Sequence, residues 1–312
     1  MSAKGEAMST TANYGISYIV PVYNEEFSIV DTVHRLHSVL GTLGIPYEVI
    51  IVNDGSQDKT KERAKQCQDA VLINHPINIG YGNSLKSGIQ NAQYDWIGIV
   101  DADGSYPIED IPKLVDEMKN GFDMVVGVRN NAGQIDRPVK KVFRWIYRTI
   151  LRLVVKDSIE DANSGLRIFK RTMVLELLPF LCGTFSFTTS LTILALGKHC
   201  FLKYIPIQYH PRKGDSKVRH IRDSMRTLQY IMQGVTFFNP IKFFALLSFC
   251  MVVIVCIPAM VFAVFRMHTL SLYYMIFGTT GTILIAMGVL GDIIRISFTQ
   301  MTHNNAPKRD LL

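Results

Sequence analysis

The sequence predicts an α/β fold with a mostly parallel sheet, followed by a hairpin of two membrane-spanning helices. Apolar strand-like segments alternate with helix-like segments from Tyr14 to about Pro206. This alternation is typical of a parallel sheet covered by helices on both faces. After Asn239 the chain becomes strongly apolar, which accounts for a hydrophobic content of 48% over 312 residues. That content is high for a soluble protein and indicates membrane segments.

The predicted elements follow one another in a regular order along the first part of the chain. Each strand is a short apolar run that ends in polar residues or turn formers, and each helix has apolar residues at helical spacing. We expect strands within ISYIVPVYNEE, YEVIIVNDGS, AVLINHP, WIGIVDADG and DMVVGVR, and helices over Glu25–Leu43, Asp58–Cys67, Gly82–Ala92 and Ile111–Lys119.

Two carboxylates, Asp101 and Asp103, follow the apolar run that begins at Trp96. Residues one apart on a strand point to the same side, so the two like charges repel unless a cation lies between them. Hard divalent cations prefer carboxylate oxygens, and the spacing therefore predicts a site for Mg²⁺ or Mn²⁺ at this pair. A solvated loop that carries two acids is the alternative from this stretch alone.

Two further polar clusters follow predicted strands. They are Tyr23-Asn24-Glu25 after the first strand and Asn53-Asp54-Gly55-Ser56 after the second. In open α/β sheets, ligands bind beyond the carboxyl ends of the strands. The two clusters and the carboxylate pair should therefore converge on one edge of the sheet and form a single site.

The remaining composition narrows the class of protein further. The five cysteines show no spacing typical of a zinc site, and we expect all of them to be reduced thiols. Residues 1–13 are small and polar, which predicts a disordered leader and no signal peptide. Although the formal net charge is +7, we expect no nucleic-acid partner, and a homo-oligomer stays open.

The apolar C-terminal region contains two candidate membrane spans. Phe243–Phe265 carries no charge over about 23 residues, which matches a hydrocarbon core of roughly 30 Å at 1.5 Å per residue. Leu272–Ile294 is a second, weaker span that is rich in glycine and threonine. Only Arg266–Ser271 joins them, so the sequence predicts an antiparallel hairpin over 241–295.

Basic residues flank the hairpin on both sides, and the positive-inside rule places both flanks in the cytoplasm. We therefore expect a multi-pass membrane protein with a cytoplasmic domain over 14–217 and a cytoplasmic tail over 296–312. Residues 218–240 have an apolar face opposite a basic and amide face. This pattern is typical of an amphipathic interfacial helix, and an ordinary packing helix is the alternative.

Several segments, taken in order, resemble a known family. SYIVPVYNEE, EVIIVNDGSQDKT, NIGYGNSLKSGIQNA and IGIVDADGSYP are similar to family-two glycosyltransferases of the GT-A fold. The later DANSGLRIFKR and YIPIQYHPRKGDSK, with two spans behind them, resemble the polyisoprenyl-phosphate type, the group of dolichol-phosphate mannose synthase and bacterial undecaprenyl-phosphate glycosyltransferases. The resemblance implies an inverting enzyme that moves one sugar from a UDP- or GDP-linked donor to polyprenyl phosphate at the cytoplasmic face.

The resemblance also implies roles for individual residues. Asp101 and Asp103 match the metal motif, and Arg129 and Arg144 match the residues that bind the acceptor phosphate. Arg167 matches a further position of the family pattern, but the resemblance implies no specific role for it. The implied nucleotide-binding residues are Pro21, Tyr23, Asn24, Glu25, Asn53, Asp54, Gly80, Gly82, Asp101, Ala102 and Asp103, with Arg212, Ser216 and Lys217 on a loop that covers the diphosphate.

Two positions depart from the family pattern. Asn53 stands where many relatives have Asp, and Tyr81 stands where relatives often carry Lys. Three other functions stay open: a glycosyltransferase of the same fold with a non-lipid acceptor, a nucleotidyltransferase, and a nucleotide-binding membrane subunit without catalysis. A nucleotidyltransferase usually has a glycine-rich loop with a basic residue after the first strand, whereas PVYNEE is acidic.

Overall fold

The computed structural model describes residues 14–129, 159–210 and 240–305. The chain divides into two compact units. Of the described residues, the first unit holds 14–129 and 160–210, and the second holds 240–305 together with Ile159.

The first unit is built on a seven-stranded sheet with the order β3-β2-β1-β4-β6-β5-β7. Its β6 strand is antiparallel to both neighbours, and every other neighbouring pair is parallel, which confirms the mostly parallel sheet. The strands are β1 (Ile16–Val22), β2 (Tyr47–Asp54), β3 (Ala70–His75), β4 (Trp96–Ile99), β5 (Met124–Arg129), β6 (Arg167–Lys170) and β7 (Leu202–Ile207).

Six α-helices cover the two faces of this sheet in the described part of the unit. They are α1 (Ile29–Leu40), α2 (Thr60–Ala64), α3 (Tyr81–Asn91), α4 (Ile111–Lys119), α5 (Arg171–Leu177) and α6 (Phe187–Gly197). The core on one face includes Leu36 of α1 and Leu114 of α4. The core on the other face includes Leu85 of α3, Val174 of α5 and Leu191 of α6.

Two predicted helices are shorter than the sequence indicated. The helix expected from Glu25 begins at Ile29, because the preceding backbone is tied to another loop: the N–H of Glu25 donates to Oγ1 of Thr60 over 2.8 Å. The helix expected over Asp58–Cys67 is reduced to α2, since Asp58 accepts a hydrogen bond from the N–H of Thr60 and ends the loop there.

The order of the strands creates a switch point at the carboxyl edge of the sheet. From β1 the chain adds β2 and then β3 on one side, whereas β4 pairs with the opposite side of β1. The loops after β1 and β4 therefore diverge and leave a crevice between them. Ligands of open α/β sheets bind in such a crevice.

The second unit contains a helical hairpin. Its first arm runs through α7 (Pro240–Met251), a π-helical turn over Val252–Cys256, and α8 (Ile257–Val264). The sequence predicted an uninterrupted helix here. Pro258 explains the π turn, because proline lacks an N–H and its ring clashes with the carbonyl four residues earlier.

The second arm is α9 (His268–Asn305), which packs back against the first arm. A side chain at Gly278 would overlap Val255, and the hydroxyl of Ser271 donates to the carbonyl of Ala259 over 2.7 Å. These contacts confirm the antiparallel hairpin. The helix spans 38 residues and continues past Arg295, so the tail predicted to begin at residue 296 is helical as far as Asn305.

By length and composition, both arms could cross a membrane. The candidate spans in the described residues are Leu247–Val264, with a mean hydropathy of 2.7, and His268–Gly291, with a mean hydropathy of 1.6. Both fall largely within the two predicted spans, although the second begins four residues earlier than expected.

Candidate active site

The two carboxylates lie directly beyond β4, at the switch point. Asp103 is buried, and its Oδ1 accepts hydrogen bonds from the hydroxyl of Ser105 and from its N–H, the latter over 3.0 Å. Asp101 lies against Gly165, where a Cβ atom would come within 2.7 Å of its Oδ2. Between them, Ala102 is buried and its carbonyl accepts a hydrogen bond from Thr32. Asp103 is therefore held by the turn at Ser105, and Asp101 packs closely against the backbone of Gly165.

The protein supplies few metal ligands of its own. Within 14–129, 159–210 and 240–305, no group of three or more His, Cys, Asp or Glu side chains could hold a metal ion. Mg²⁺ is commonly bound through one or two carboxylates, with substrate phosphates and water completing its octahedron. The pair Asp101 and Asp103 fits that donor set, in which the substrate contributes the remaining oxygens.

Tyr81 fixes the orientation of the first carboxylate. It begins α3, stacks on Phe185 with ring centroids 5.8 Å apart, and donates its hydroxyl to Oδ1 of Asp101 over 2.9 Å. Burial, reinforced by the charge of Asp101, raises the pKa of Tyr81 well above its ordinary value of 10.0. The hydroxyl therefore stays protonated and donates.

Asp54 shapes the loop after β3. Its carboxylate accepts hydrogen bonds from the N–H of Ile79 over 3.0 Å, from the N–H of Gly80 over 2.8 Å, and from Nδ1 of His75 over 2.9 Å. The other ring nitrogen of His75 lies 3.0 Å from the hydroxyl of Ser87 in α3. These bonds turn Asp54 inward, and its predicted contact with the base or ribose stays a prediction.

The loops after β1 and β2 are joined to each other by hydrogen bonds. Asn24 adopts a left-handed φ of 52°, its N–H donates to the hydroxyl of Ser56, and its side-chain oxygen accepts from the N–H of Gln57 over 2.8 Å. Pro21 and Tyr23 flank Val22, which pairs in register with Asn53. Together with the bond between Glu25 and Thr60, these contacts bring the two predicted clusters to one edge.

The side-chain amide of Asn53 makes hydrogen bonds to two partners. Its Nδ2 donates to Oδ1 of Asn74 over 3.0 Å, and its Oδ1 accepts from the N–H of Ser56 over 3.3 Å. Asn53 is buried, whereas Asn74, its partner on β3, is exposed. No motif or spacing in the sequence singles out Asn74.

Gly80 and Gly82 allow a second segment to lie on the start of α3. Gly80 has a φ of 104°, a conformation that favours glycine, and a Cβ atom at Gly82 would overlap the carbonyl of Cys182. The carbonyl of Gly183 accepts the N–H of Asn83 over 3.0 Å. These glycines therefore permit a close approach between two backbones, next to Tyr81.

On the other side of β4 lies a partly buried ion pair. Arg129, the last residue of β5, donates from Nε and Nη2 to the two carboxylate oxygens of Asp161 over 2.7 Å and 2.8 Å. Burial alone would raise the pKa of Asp161, but the hydrogen bonds and charge of Arg129 outweigh it and hold this pKa below its ordinary value. The pKa of Arg129 is raised, because the bonds to Asp161 outweigh the effect of burial.

Arg167 stabilises the loop that contains Asp161. It is fully buried in β6 and donates to the carbonyls of Ala162, Ser164 and Thr188 and to the hydroxyl of Thr192. Burial lowers the pKa of Arg167. The guanidinium thus anchors the loop that begins at Asp161. A charged residue within an apolar strand was the signal for this role.

Two tyrosines connect the ion pair with the carboxylates. The hydroxyl of Tyr106 accepts the N–H of Gly165 over 2.7 Å, and its ring meets the edge of Tyr209 at 5.1 Å. The guanidinium of Arg129 lies 5.4 Å from the centre of the Tyr209 ring. The N–H of His210 donates to the carbonyl of Ser105 over 2.9 Å. The segment after β7 is therefore tied to the loop that carries Asp101 and Asp103, a link that the sequence did not predict.

Four predicted site residues, Arg144, Arg212, Ser216 and Lys217, lie outside the described residues. The same holds for the amphipathic segment predicted over 218–240, except for Pro240.

Comparison with known proteins decides the family. The model for the family described as glycosyl transferase family 2 matches residues 17–178, just over half of the chain. The chain belongs to this family. The predicted resemblance is thereby confirmed, and every described site residue, Arg129 included, lies within the matched range.

Curated relatives include two kinds of family member. An undecaprenyl-phosphate 4-deoxy-4-formamido-L-arabinose transferase of Pectobacterium atrosepticum is 30% identical, with 62% of this chain and 65% of the relative covered. A low-salt glycan biosynthesis hexosyltransferase of Haloferax volcanii is 27% identical, with 70% and 53% covered. The match thus spans less than two thirds of both relatives. The Pseudomonas fluorescens arabinose transferase is 27% identical, with 89% and 84% covered.

Solved structures with the same fold include glucosyl-3-phosphoglycerate synthase from Mycobacterium tuberculosis. Its complex with Mn²⁺, UDP and phosphoglyceric acid superposes with a TM-score of 0.59 at 16% identity, covering 71% of this chain and 78% of that one. At this identity the likeness establishes the fold alone. The predicted GT-A fold is confirmed.

Proposed function

We propose that this family-two glycosyltransferase moves a single sugar from a UDP- or GDP-linked donor to a polyprenyl phosphate at the cytoplasmic face of a membrane. One observation carries the proposal. The carboxylate pair at the end of β4 and the Arg129–Asp161 pair at the end of β5 lie along one edge of the same sheet. A cation site and an anion site near one crevice suit a reaction between a nucleotide diphosphate and a second phosphate.

On the donor side, Asp101 and Asp103 would hold Mg²⁺ or Mn²⁺. When bound, such an ion stabilises the negative charge that develops on the departing diphosphate. The protein's own contribution is orientation. Tyr81 holds one oxygen of Asp101, and the turn at Ser105 holds one oxygen of Asp103. Because both carboxylates are already held in place, they lose little conformational freedom when the ion binds. The site is therefore preorganised.

On the acceptor side, Arg129 would bind the lipid phosphate. A guanidinium carries five N–H donors in a planar fork, and Asp161 engages only the Nε and Nη2 side. The remaining edge can donate to a phosphate, while Asp161 keeps the fork in place. A phosphate monoester has its second pKa near 6, so it is largely dianionic at neutral pH and attacks without a general base.

The acceptor would reach the site from a membrane. The relatives named as undecaprenyl-phosphate transferases support a lipid acceptor, and the two long apolar helices of the second unit support a membrane anchor. The basic residues on both sides of the hairpin support a cytoplasmic location for the first unit and the tail. Labelling tests this topology: an impermeant thiol reagent added outside should modify a cysteine placed at Thr269 and spare one placed at Asn304.

A second candidate is a transferase with a small phosphorylated acceptor. The solved neighbour was crystallised with phosphoglyceric acid, and Arg129 could bind the phosphate of a soluble acceptor as well as that of a lipid. A subunit that binds nucleotide without catalysis is a third candidate. The intact carboxylate pair argues against it.

The experiment that separates these candidates uses the full chain purified in detergent. Radiolabelled UDP- and GDP-sugars are offered with Mn²⁺ to a polyprenyl phosphate, to 3-phosphoglycerate, or to no acceptor. We expect label in the lipid fraction only with the lipid phosphate, and none after chelation of the metal. Label in a soluble product would favour the second candidate, and nucleotide binding without any transfer would favour the third.

A further inference from the structure

A polar pair at the ends of β2 and β3 has a fixed orientation. Asn53 and Asn74 are direct partners in the parallel ladder, and Nδ2 of Asn53 donates to Oδ1 of Asn74 over 3.0 Å. The N–H of Ser56 donates to Oδ1 of Asn53 over 3.3 Å. A backbone N–H can only donate, so the atom of Asn53 that faces Ser56 must be its oxygen.

This constraint passes from Asn53 to Asn74. Because the oxygen of Asn53 faces Ser56, its NH₂ group faces Asn74, and only an oxygen of Asn74 can accept there. The NH₂ group of Asn74 is consequently directed away from Asn53. Asn74 is exposed, and within the described parts of the chain its amide nitrogen has no acceptor. Two N–H donors are therefore presented at the edge of the sheet where ligands bind.

The position of Asn74 suits the base of the donor nucleotide. Neighbouring strands are about 4.8 Å apart, so the ends of β2 and β3 lie roughly 10–15 Å along the edge from the carboxylates after β4. In the opposite direction the edge leads to Arg129 and Asp161, which face the acceptor. A diphosphate held at Asp101 and Asp103 therefore extends its nucleoside towards β2 and β3.

We propose that Asn74 determines the base specificity of the donor by donating a hydrogen bond to a keto oxygen, as in uracil or guanine. This inference rests on the proposed function, because it assumes a nucleotide donor. Cytosine and adenine carry an amino group at the corresponding position. An amino group at that position would face the NH₂ group of Asn74, so that two donors would meet and neither would have an acceptor. Asn53 acts as a positioning residue, since it holds the amide of Asn74 in the orientation that donates.

The proposal makes a distinctive prediction for two variants. Asn74→Asp replaces the NH₂ group with an acceptor. Asn53→Asp leaves Asn74 intact and still accepts the N–H of Ser56, but its second oxygen now requires a donor from Asn74. The amide of Asn74 must then reverse and present its oxygen. Both substitutions should therefore shift the preference towards amino bases, which loss of a merely structural contact would not do.

Calorimetric titration of the full chain in detergent with MnCl₂ tests this directly. The titrants are UDP and CDP as one pair, and GDP and ADP as the other. The unchanged protein should bind the keto member of at least one pair about tenfold more tightly than the amino member. Each variant should reduce that ratio to about one or below. Because both variants add a negative charge, the ratio within a pair is compared rather than the absolute affinity.

Asn120→Asp provides the matched control, since it makes the same chemical change on an exposed residue after α4, at the opposite edge of the sheet. It should keep the original ratio. Unchanged selectivity in both edge variants, with nucleotide binding intact, would overturn the role of Asn74 alone. Failure of the unchanged protein to bind any of the four nucleotides would overturn the proposed donor, and with it this inference.

Discussion

The two halves of the sheet edge hold their side chains by different means. On the donor half, beyond β1, β2 and β3, most positioning bonds involve backbone N–H groups, amides and hydroxyls, as at Asn24, Asn53 and Asp54. On the acceptor half, at the end of β5 and the start of β6, two guanidinium groups make most of these bonds, that of Arg129 partly buried and that of Arg167 fully buried. Arg129 pairs with Asp161, and Arg167 binds backbone carbonyls.

The proposed function accounts for this difference. A nucleotide presents a base and a ribose, which are recognised by directional bonds to neutral groups. A phosphate acceptor needs positive charge, and a buried arginine must be compensated on the protein side. In the donor half, a change of charge should therefore alter the selectivity for the nucleotide. In the acceptor half, a change of charge should lower the stability of the fold.

The largest effect on stability is expected at Arg167. Arg167→Met keeps the length of the side chain but leaves the buried carbonyls of Ala162, Ser164 and Thr188 without their donor. We expect the free energy of unfolding to fall by about 3–5 kcal/mol. Denaturant unfolding of the full chain in detergent measures this value.

Arg35→Met is the matched control, because Arg35 pairs with Glu109 on the exposed surface. Its loss should change the free energy of unfolding by no more than about 1 kcal/mol. Equal losses in the two variants would remove the distinction between a buried anchor and a surface pair.

The next largest effect is expected on turnover, at the predicted metal ligands Asp101 and Asp103. Asp103→Asn should lower turnover by roughly 100- to 1,000-fold, since a fixed charge that acts on the transition state is lost. Initial rates at saturating donor measure the effect, with Asp116→Asn on the exposed face of α4 as the control. Near-normal turnover of the Asp103 variant, or activity that survives chelation, would contradict the metal site.

A pH dependence is expected from the ion pair. The pKa of Asp161 is below its ordinary value of 3.8, so its contribution to stability is present above that value and is lost as the pH falls through the lowered pKa. Asp161→Asn should therefore flatten the loss of stability below about pH 4. Unfolding midpoints between pH 6 and pH 2 measure this effect. An unchanged acid limb would show that Asp161 does not stabilise the fold through its charge.

The smallest effect is expected at Tyr81. Tyr81→Phe keeps the stacking on Phe185 and removes only the hydrogen bond to Asp101. We expect Mn²⁺ in the presence of UDP to bind about 3- to 10-fold more weakly, the size of one neutral hydrogen bond. Titration calorimetry measures the affinity. If Mn²⁺ binds the variant as tightly as the unchanged chain, Tyr81 does not orient the carboxylate.

The two halves also differ in how far the sequence predicts them. The strands β1, β2 and β4 and the helix α4 follow from local apolar patterns, and Ile111–Lys119 was predicted with the bounds observed. The convergence of the clusters after β1, β2 and β4 follows from the parallel topology. The sequence alone therefore predicts that the donor half lies at the carboxyl edge of the sheet.

The acceptor half could not be derived in this way. Arg129 and Asp161 are 32 residues apart, and no periodicity relates them. The same holds for the contact between Tyr81 and Asp101, which are 20 residues apart, and for the ring contact of Tyr106 with Tyr209. Such pairs depend on tertiary packing. Likewise, Asn74 lies in a predicted strand, but the orientation of its amide depends on Asn53 and the N–H of Ser56.

If the two halves bind different substrates, as proposed, Arg129→Gln should affect the binding of only one of them, which two titrations can show, one with polyprenyl phosphate and one with UDP. Glutamine can still donate one hydrogen bond to Asp161 while the charge is removed, and intact UDP binding shows that the variant is folded. We expect KM for polyprenyl phosphate to rise about 10- to 100-fold, which corresponds to one charge-assisted hydrogen bond, while the Kd for UDP with Mn²⁺ stays within about twofold. An unchanged lipid dependence, or an equal loss of UDP binding, would contradict the division of the edge into donor and acceptor halves.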